Sequence, residues 1–468
     1  MTHVEQIAGF VTRASCEMLS DETREQIKIR VLDSMGCAIG AMDGALIPKL
    51  RNFVSELGWK GRCTLIGGGS ARPDAAAFYN AALVRYLDFN DSYLAKGETC
   101  HPSDNLGAIL AAGELAGASG CDLMTALAVA YQVQCRLSDE APVRARGFDH
   151  TVQGAYGATA GIGKILGLDQ QQLANAIAIS ATALNALRAT RTGVLSNWKG
   201  LAYPHMSADC VRNVLLARQG ITGPLEVVEG DKGLMDAISG LFTLNWAEEG
   251  LDRVPRTALK KYNAEIHSQT TIEATLELRR QYNIRPQDIE QVDVTVFDVA
   301  YNIIGGGEEG DKHSVRTKEQ ADHSLPYLVA VALLDGQVMP EQYAPDRILR
   351  LDVQTLIGKV SIHPDPAYSA QFPREMPSRV AITLRDGRVV DREVRTWEGS
   401  GSLPMSWDSA YAKFERLTKP FTTLKQRSQF ADTIAHLEER SIADLISQLS
   451  KVGTPQSAPN TVVTMGRR

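Results

Sequence analysis

The apolar periodicity of this chain changes twice, and that change restricts the fold more than any other feature of the sequence. Up to about His267, apolar residues recur at helical intervals. After the cap pair Ser20-Asp21, the residues Ile27, Val31, Met35 and Ala38 fall at helical spacing. Further helices are predicted at 104–118, 122–133, 154–166, 169–187 and 207–219, several of them rich in Ala, Gly and Ser. Such segments gain little from side-chain burial and are expected to pack closely against neighbouring helices. Beyond His267, a helix at 270–282 gives way to the alternating run Val292-Asp293-Val294-Thr295-Val296. A helix at 324–334 and a strand at 359–362 follow. The runs 379–384 and 388–394 around Asp386-Gly387 then read as a hairpin. The Gly-rich stretch 398–402 returns the chain to helices at 407–417 and 429–448. The reading is a mainly α protein. A large all-helical domain is built from both chain ends (residues 1–265 and 400–452), a smaller α+β domain (266–399) is inserted, and a mobile polar tail covers 453–468.

At 468 residues the chain exceeds what one core organises. Its 44% hydrophobic and 22% charged residues exclude a disordered class. A net charge of −6 argues against nucleic acid or an anionic membrane as partner, and it requires any site for a polyanion to gather positive charge locally. The seven cysteines (Cys16, Cys37, Cys63, Cys100, Cys121, Cys135, Cys210) include no C-x-x-C pair, so neither a disulfide framework nor a cysteine-held metal or cluster is expected. The first nineteen residues suit neither a secretory signal nor a transit peptide, and no apolar run is long enough to span a membrane. A soluble, cytoplasmic protein is expected.

Among the nine histidines there is no H-E-x-x-H and no H-x-H pattern. The triplets Gly67–Gly69 and Gly305–Gly307 match neither phosphate-binding glycine pattern and read as turns. The stretch from Leu87 to Tyr93, continued by His101 to Asn105, brings together Asp88, Asp91, Ser92 and His101 just before a helix. Pro102 disfavours a helical His101, and Ser103 or Asp104 can cap the helix that follows, leaving amides free to face an anion. Capping with surface polarity is one reading of these residues, and an active-site loop is the other. Asp149-His150, Arg188, Arg191, Trp198-Lys199, Lys260, Lys261 and His267 also interrupt the helical half or lie at the junction. If they meet, they supply the missing positive charge.

Six pieces in order carry a resemblance: L-D-F-N-D-S with H-P-S-D-N (87–92 and 101–105), F-D-H (148–150), S-N-W-K (196–199), A-E-I-H-S-Q-T (264–270) and A-D-H-S-L-P-Y (321–327). They resemble the MmgE/PrpD family over about Glu5 to Leu449. The resemblance implies a helical domain from both chain ends with an α+β lid between them, a homodimer, and a site in the cleft between domain and lid. It implies no metal and no cofactor. Carried over by position, the catalytic residues are Asp88, His101, His150, Lys199 and His267. The substrate-binding residues are Asp91, Ser92, Arg191, Lys261 (with Lys260 adjoining) and Tyr327. Ser92 stands where threonine is commoner, and Phe-Asp-His differs from the Phe-His-Pro of the decarboxylases.

The activity this implies is metal-independent dehydration of 2-methylcitrate or a related tricarboxylic 3-hydroxy acid. Cations would hold the carboxylates, and His101, steadied by Asp88, would exchange protons together with His150 or His267. The alternatives are decarboxylation of cis-aconitate or epimerisation of an imino- or amino-diacid within the same family, or tricarboxylate binding without turnover.

Overall fold

Side-chain caps open most of the long helices. The computed structural model describes residues 1–58, 61–95 and 97–453. Thr2 and Glu5 form a reciprocal capping box on α1 (His3–Arg13), and the Ser20 hydroxyl accepts the Thr23 amide at the head of α2 (Asp21–Gly40). Proline lies in the first turn of α3 (Ile47–Glu56) and α4 (Pro73–Tyr86), where its missing N–H is not needed. There follow α5 (Leu106–Ala116), α6 (Gly120–Glu140), α7 (Thr151–Ile165), α8 (Gln170–Ala183) and α9 (Trp198–Arg218). Capping boxes at Ser119/Asp122 and Asp169/Gln172 start α6 and α8. The helix expected from residue 207 begins at Trp198, because Pro204 sits inside it rather than before it. Lys199 is thereby placed on a helical turn.

The chain then passes through α10 (Gln269–Gln281), β1 (Ile289–Val296), α11 (Leu325–Asp335), β2 (Val360–Pro364), β3 (Ser378–Leu384) and β4 (Val389–Val394). The strands form one sheet in the order β2-β1-β3-β4, with β1 and β2 parallel and the other pairs antiparallel. Val292 lies opposite both Val360 and Ile382, and the alternation read in the sequence puts Val292, Val294 and Val296 in the core. Helices α12 (Trp407–Thr418), α13 (Leu424–Ala435) and α14 (Ile442–Leu449) complete the fold. The single helix expected over 429–448 is two helices, broken by a 3₁₀ turn at Leu437–Glu439, and Ser441 caps the second.

Buried apolar residues gather into two main clusters. One spans Val4 to Leu259 and is completed by Met339 and by Met405 to Val452, whereas the other runs from Ala258 to Trp397. The protein is mainly α-helical. No helix among the described residues is long and apolar enough to cross a membrane. The tail expected to be mobile falls, from residue 454 on, outside the described residues.

Small residues let helix backbones touch in the first cluster. A Cβ on Gly107 of α5 would lie 2.3 Å from the Ala81 nitrogen in α4, and one on Gly157 of α7 would lie 2.8 Å from the Ala130 carbonyl in α6. Alanine gains about 1 kcal/mol of helix propensity over glycine, but forcing two backbones apart costs about 1–3 kcal/mol or more. Gly107→Ala is therefore expected to lower the melting temperature. A variant melting at or above the wild type would refute so close an approach.

Candidate active site

The last turn of α4 and the loop after it build one wall of a cleft. Asp88 adopts a left-handed conformation, φ +55°, which costs energy for any residue with a Cβ and is best tolerated by Asp or Asn. Three cations hold it there. Arg85, three residues earlier, reaches its Oδ1 at 2.6 Å, Lys260 reaches the same oxygen at 2.7 Å, and Lys199 lies 3.4 Å from Oδ2. The Lys260 ammonium also donates to the Asp88 carbonyl at 2.6 Å. Burial alone would raise the Asp88 carboxyl, but Arg85 first, then Lys260 and Lys199, hold it well below the usual range.

Lys199 links this wall to the other cluster. Its ammonium donates to Asp322 at 3.0 Å and lies 2.9 Å from His323 Nδ1. Burial pulls the ammonium pKa down, against Asp322 and Asp88. The ligating atoms of Asp88, Asp322 and His323 lie within 4.8 Å of one another, a separation that suits a metal ion. The Lys199 ammonium is in contact with all three of these groups, so the trio already cradles a cation.

Three histidines line the cleft with these groups. His101 Nδ1 lies 2.8 Å from the Asp91 carbonyl and 3.1 Å from Ser92 Oγ. A carbonyl only accepts, so Nδ1 carries the hydrogen and Nε2 keeps its lone pair. Burial, then the charges of Arg85 and Lys260, pushes the imidazole well below its usual value. His150 packs edge-on against His101, ring centroids 5.5 Å apart, and burial lowers it to about 4 despite Asp149 at 3.1 Å. His267 Nδ1 is 2.7 Å from Glu265, and its buried Nε2 has no hydrogen-bond partner. Against the effect of burial, His267 holds the Glu265 carboxyl down at about 2.

Asp88, His101, His150, Arg191, Lys199 and His267 all line the cleft, which encloses about 580 Å³ including its mouth. The other expected site residues lie elsewhere. Asp91 is fully buried behind the cleft, accepting from Ser103 Oγ and Tyr131 Oη at 2.7 Å each. Ser92 touches His101 rather than open space. Lys261 turns outward to Glu273 at 2.8 Å, because its backbone amide is held by Gln269 and its neighbour Lys260 points inward instead. Tyr327 is buried in the second cluster, where its hydroxyl donates to the Gln342 carbonyl. Asp88 does not bond to His101 as expected; the three cations occupy its oxygens. Nor do Ser103 and Asp104 cap a helix at the surface. Both are buried and bound to Asn90, which donates to them at 2.9 and 2.7 Å.

Several cleft residues went unremarked in the sequence. The i,i+3 spacing of Arg85 and Asp88 at the end of a helix is a signal for that pair, whereas Glu265 meets His267 because it caps the 3₁₀ turn over Ile266–Ser268. Glu98, Arg144, Glu309 and His323 also line the cleft. Arg144 and Glu309 are brought together only by the fold.

Residues 5–247 match the MmgE/PrpD N-terminal domain and residues 262–439 the MmgE/PrpD C-terminal domain. The chain is 29% identical to the 2-methylcitrate dehydratase of Escherichia coli strain K12, over 76% of each chain. It is 28% identical to the 2-methylcitrate dehydratase of Cupriavidus necator, over 82% of this chain and 83% of that one. It is 24% identical to the cis-aconitate decarboxylase of Mus musculus, over 98% of this chain and 96% of that one.

Two stability measurements check the geometry. Lys260→Met removes one of three cations from a buried carboxylate and leaves the buried Asp88 carbonyl without that donor, and it is expected to cost about 1–3 kcal/mol in thermal or urea unfolding. Lys261→Met, which breaks a partly exposed pair, is expected to cost less than about 1 kcal/mol. Equal losses would contradict the inward position of Lys260. For His150, the imidazole binds its proton near pH 4 when folded and near pH 6.5 when unfolded. Its contribution is thus present above pH 6.5 and lost as the pH falls toward 4, amounting to about 3 kcal/mol. Burial raises Asp104 to about 7, which acts in the opposite sense. The reading is therefore the difference between wild type and His150→Gln, which should shift in favour of the variant as pH falls from 6.5 to 4.

Proposed function

The chain belongs to the MmgE/PrpD family and is a dehydratase-like enzyme, and from that premise we propose that it is a hydro-lyase removing water from 2-methylcitrate, or a related tricarboxylic 3-hydroxy acid, without a metal ion. The observation that carries this reading is one cleft lined by His101, with its Nε2 lone pair, by the Glu265-backed His267, and by Lys199, Lys260 and Arg191.

Elimination beside a carboxylate is slow in water for two reasons. Removing the proton loads more charge onto an anion, and hydroxide leaves poorly unless it is protonated. In the proposed reaction, His101 Nε2 takes the proton from the carbon next to a carboxylate. Lys199, Lys260 and Arg191 stabilise the charge that develops on that carboxylate's oxygens. The carbon–oxygen bond of the neighbouring carbon breaks as its hydroxyl takes the Nε2 proton of a doubly protonated His267, whose Nδ1–H stays on Glu265, and leaves as water, and the electron pair becomes the double bond. His101 begins neutral, as a base must, because burial first and then the field of Arg85 and Lys260 disfavour its charged form. A bound trianion offsets that field and favours the protonated His101 that follows. Lys199, cradled by Asp88, Asp322 and His323, supplies the fixed positive charge that a metal supplies elsewhere.

The match to a cis-aconitate decarboxylase over 98% of the chain favours a second reading, because loss of carbon dioxide also develops charge beside a carboxylate. A chelator-treated assay with 2-methylcitrate, citrate and cis-aconitate as separate substrates separates the two. Dehydration of 2-methylcitrate that survives chelation is the expected outcome, and carbon dioxide released from cis-aconitate would replace it with decarboxylation. His101→Ala should lower kcat by about 10²–10⁴-fold, and a loss under tenfold would remove His101 from proton transfer. Lys199→Ala with unaltered rate and affinity would exclude that lysine from the carboxylate clamp.

A further inference from the structure

Most cations of the cleft are bonded to carboxylates that the fold holds rigidly. Arg85 faces Asp88 and Asp104, Arg191 faces Asp149, and Lys199 faces Asp322, all of them buried. Arg144 and Arg188 are different. Both reach the same oxygen of Glu309, at 3.4 and 3.2 Å. The arginines follow α6 and α8 in the part of the chain that builds the first core, whereas Glu309 comes from the part that builds the second, and all three line the cleft. Glu309 rides on a segment with glycines at 305–307 and 310. Gly306 and Gly310 have φ of +108° and +84°, and a Cβ at either would meet nothing within 4 Å. The segment is tied back by the Glu309 amide to the Asn302 carbonyl at 3.0 Å.

Two guanidinium groups converging on one carboxylate oxygen make a carboxylate site, and here its occupant is a tethered side chain on a glycine-rich segment. We propose that Arg144 and Arg188 form the subsite for a distal carboxylate of the substrate, and that Glu309, which occupies it, is displaced on binding. This rests on the reading that the substrate is a polycarboxylate. A ligand with a third carboxylate gains by replacing Glu309, whereas one with two leaves it in place. The ion pair thus sets the preference for tricarboxylates. A simple latch between the two parts of the chain would affect every ligand equally.

Titration calorimetry with tricarballylate, which has three carboxylates and no hydroxyl to eliminate, and with glutarate, which has two, tests the proposal. If the pair closes the subsite about nine-tenths of the time, Glu309→Gln should bind tricarballylate about tenfold more tightly, with glutarate unchanged. Arg188→Gln should weaken tricarballylate about tenfold or more and glutarate less than about twofold, with Arg188→Lys between wild type and Arg188→Gln because it keeps the charge without the fork. Melting curves identify any variant that fails to fold, and Arg188→Lys then carries the comparison. Unchanged or weaker tricarballylate binding by Glu309→Gln, or equal shifts for both acids, would overturn the proposal. Turnover of 2-methylcitrate by the wild type is a separate reading. Its failure would sink the hydro-lyase assignment while leaving the binding comparison to decide the subsite.

Discussion

The Asp88 carboxylate ties together parts of the chain that are far apart in sequence. Arg85 comes from α4, Lys199 from α9 and Lys260 from the stretch before α10, and through Lys199 the network continues to Asp322 and His323 beside the second core. Buried ion pairs give little net stability over apolar packing, yet removing one partner costs about 3–5 kcal/mol because the other is left uncompensated. Such a network therefore specifies an arrangement more than it stabilises one. The left-handed backbone at Asp88 fits this, since the strain persists only because the surroundings determine it so fully.

An acidic chain that handles an anion must concentrate its cations and also keep them from collapsing onto the nearest carboxylate. In the cleft each cation is held in a fixed direction by a carboxylate of the fold: Asp88 is shared by Arg85, Lys199 and Lys260, Asp149 holds Arg191, and Glu309 is shared by Arg144 and Arg188. Arg85, Lys199 and Lys260 are buried and Arg191 partly so, and the fold itself fixes the direction of each. Burial first, and then the nearby arginines, holds the imidazoles of His101 and His150 below their usual value, whereas His267 Nδ1 lies 2.7 Å from Glu265. Environment thus distinguishes three chemically identical side chains.

What could be read from the sequence was what depends on local spacing. The strand alternation at Val292–Val296, the hairpin around Asp386-Gly387 and the cap of α2 at Ser20 are short-range patterns, and each lies where it is expected. Lys199, His101, His150 and His267 each sit in a contiguous motif, and all four line one cleft. Lys261 was preferred over Lys260 because adjacent lysines look alike in one dimension, and only the backbone decides which one points inward. Tyr327 and Asp91 sit in motifs as well, but their polar atoms are used within the core. Arg144 and Glu309 lie 165 residues apart, and no spacing rule connects them.

The same long-range dependence explains why the helices near the end of the chain matter to a cleft they do not line. Lys413 of α12 donates to the Phe89 carbonyl at 2.7 Å and the Lys260 carbonyl at 3.0 Å, its ammonium pairs with Asp33 of α2 at 2.7 Å, and it lies over the Phe89 ring at 3.7 Å. It therefore pins the backbone on either side of the Asp88–Lys260 pair. Lys413 reaches that position because α12 approaches α2 at Gly36 and Gly40, one helical turn apart, where a Cβ would lie 3.2 Å from Phe414 Cα and 3.0 Å from Leu417 Cβ. Two missing side chains in α2 thus set how far a lysine at the other end of the chain can reach, and the geometry around Asp88 and Lys260 follows from that contact. The Asp88–Lys260 pair is complete only after both ends of the chain have come together, so contact between the chain ends shapes the cleft as well as the core.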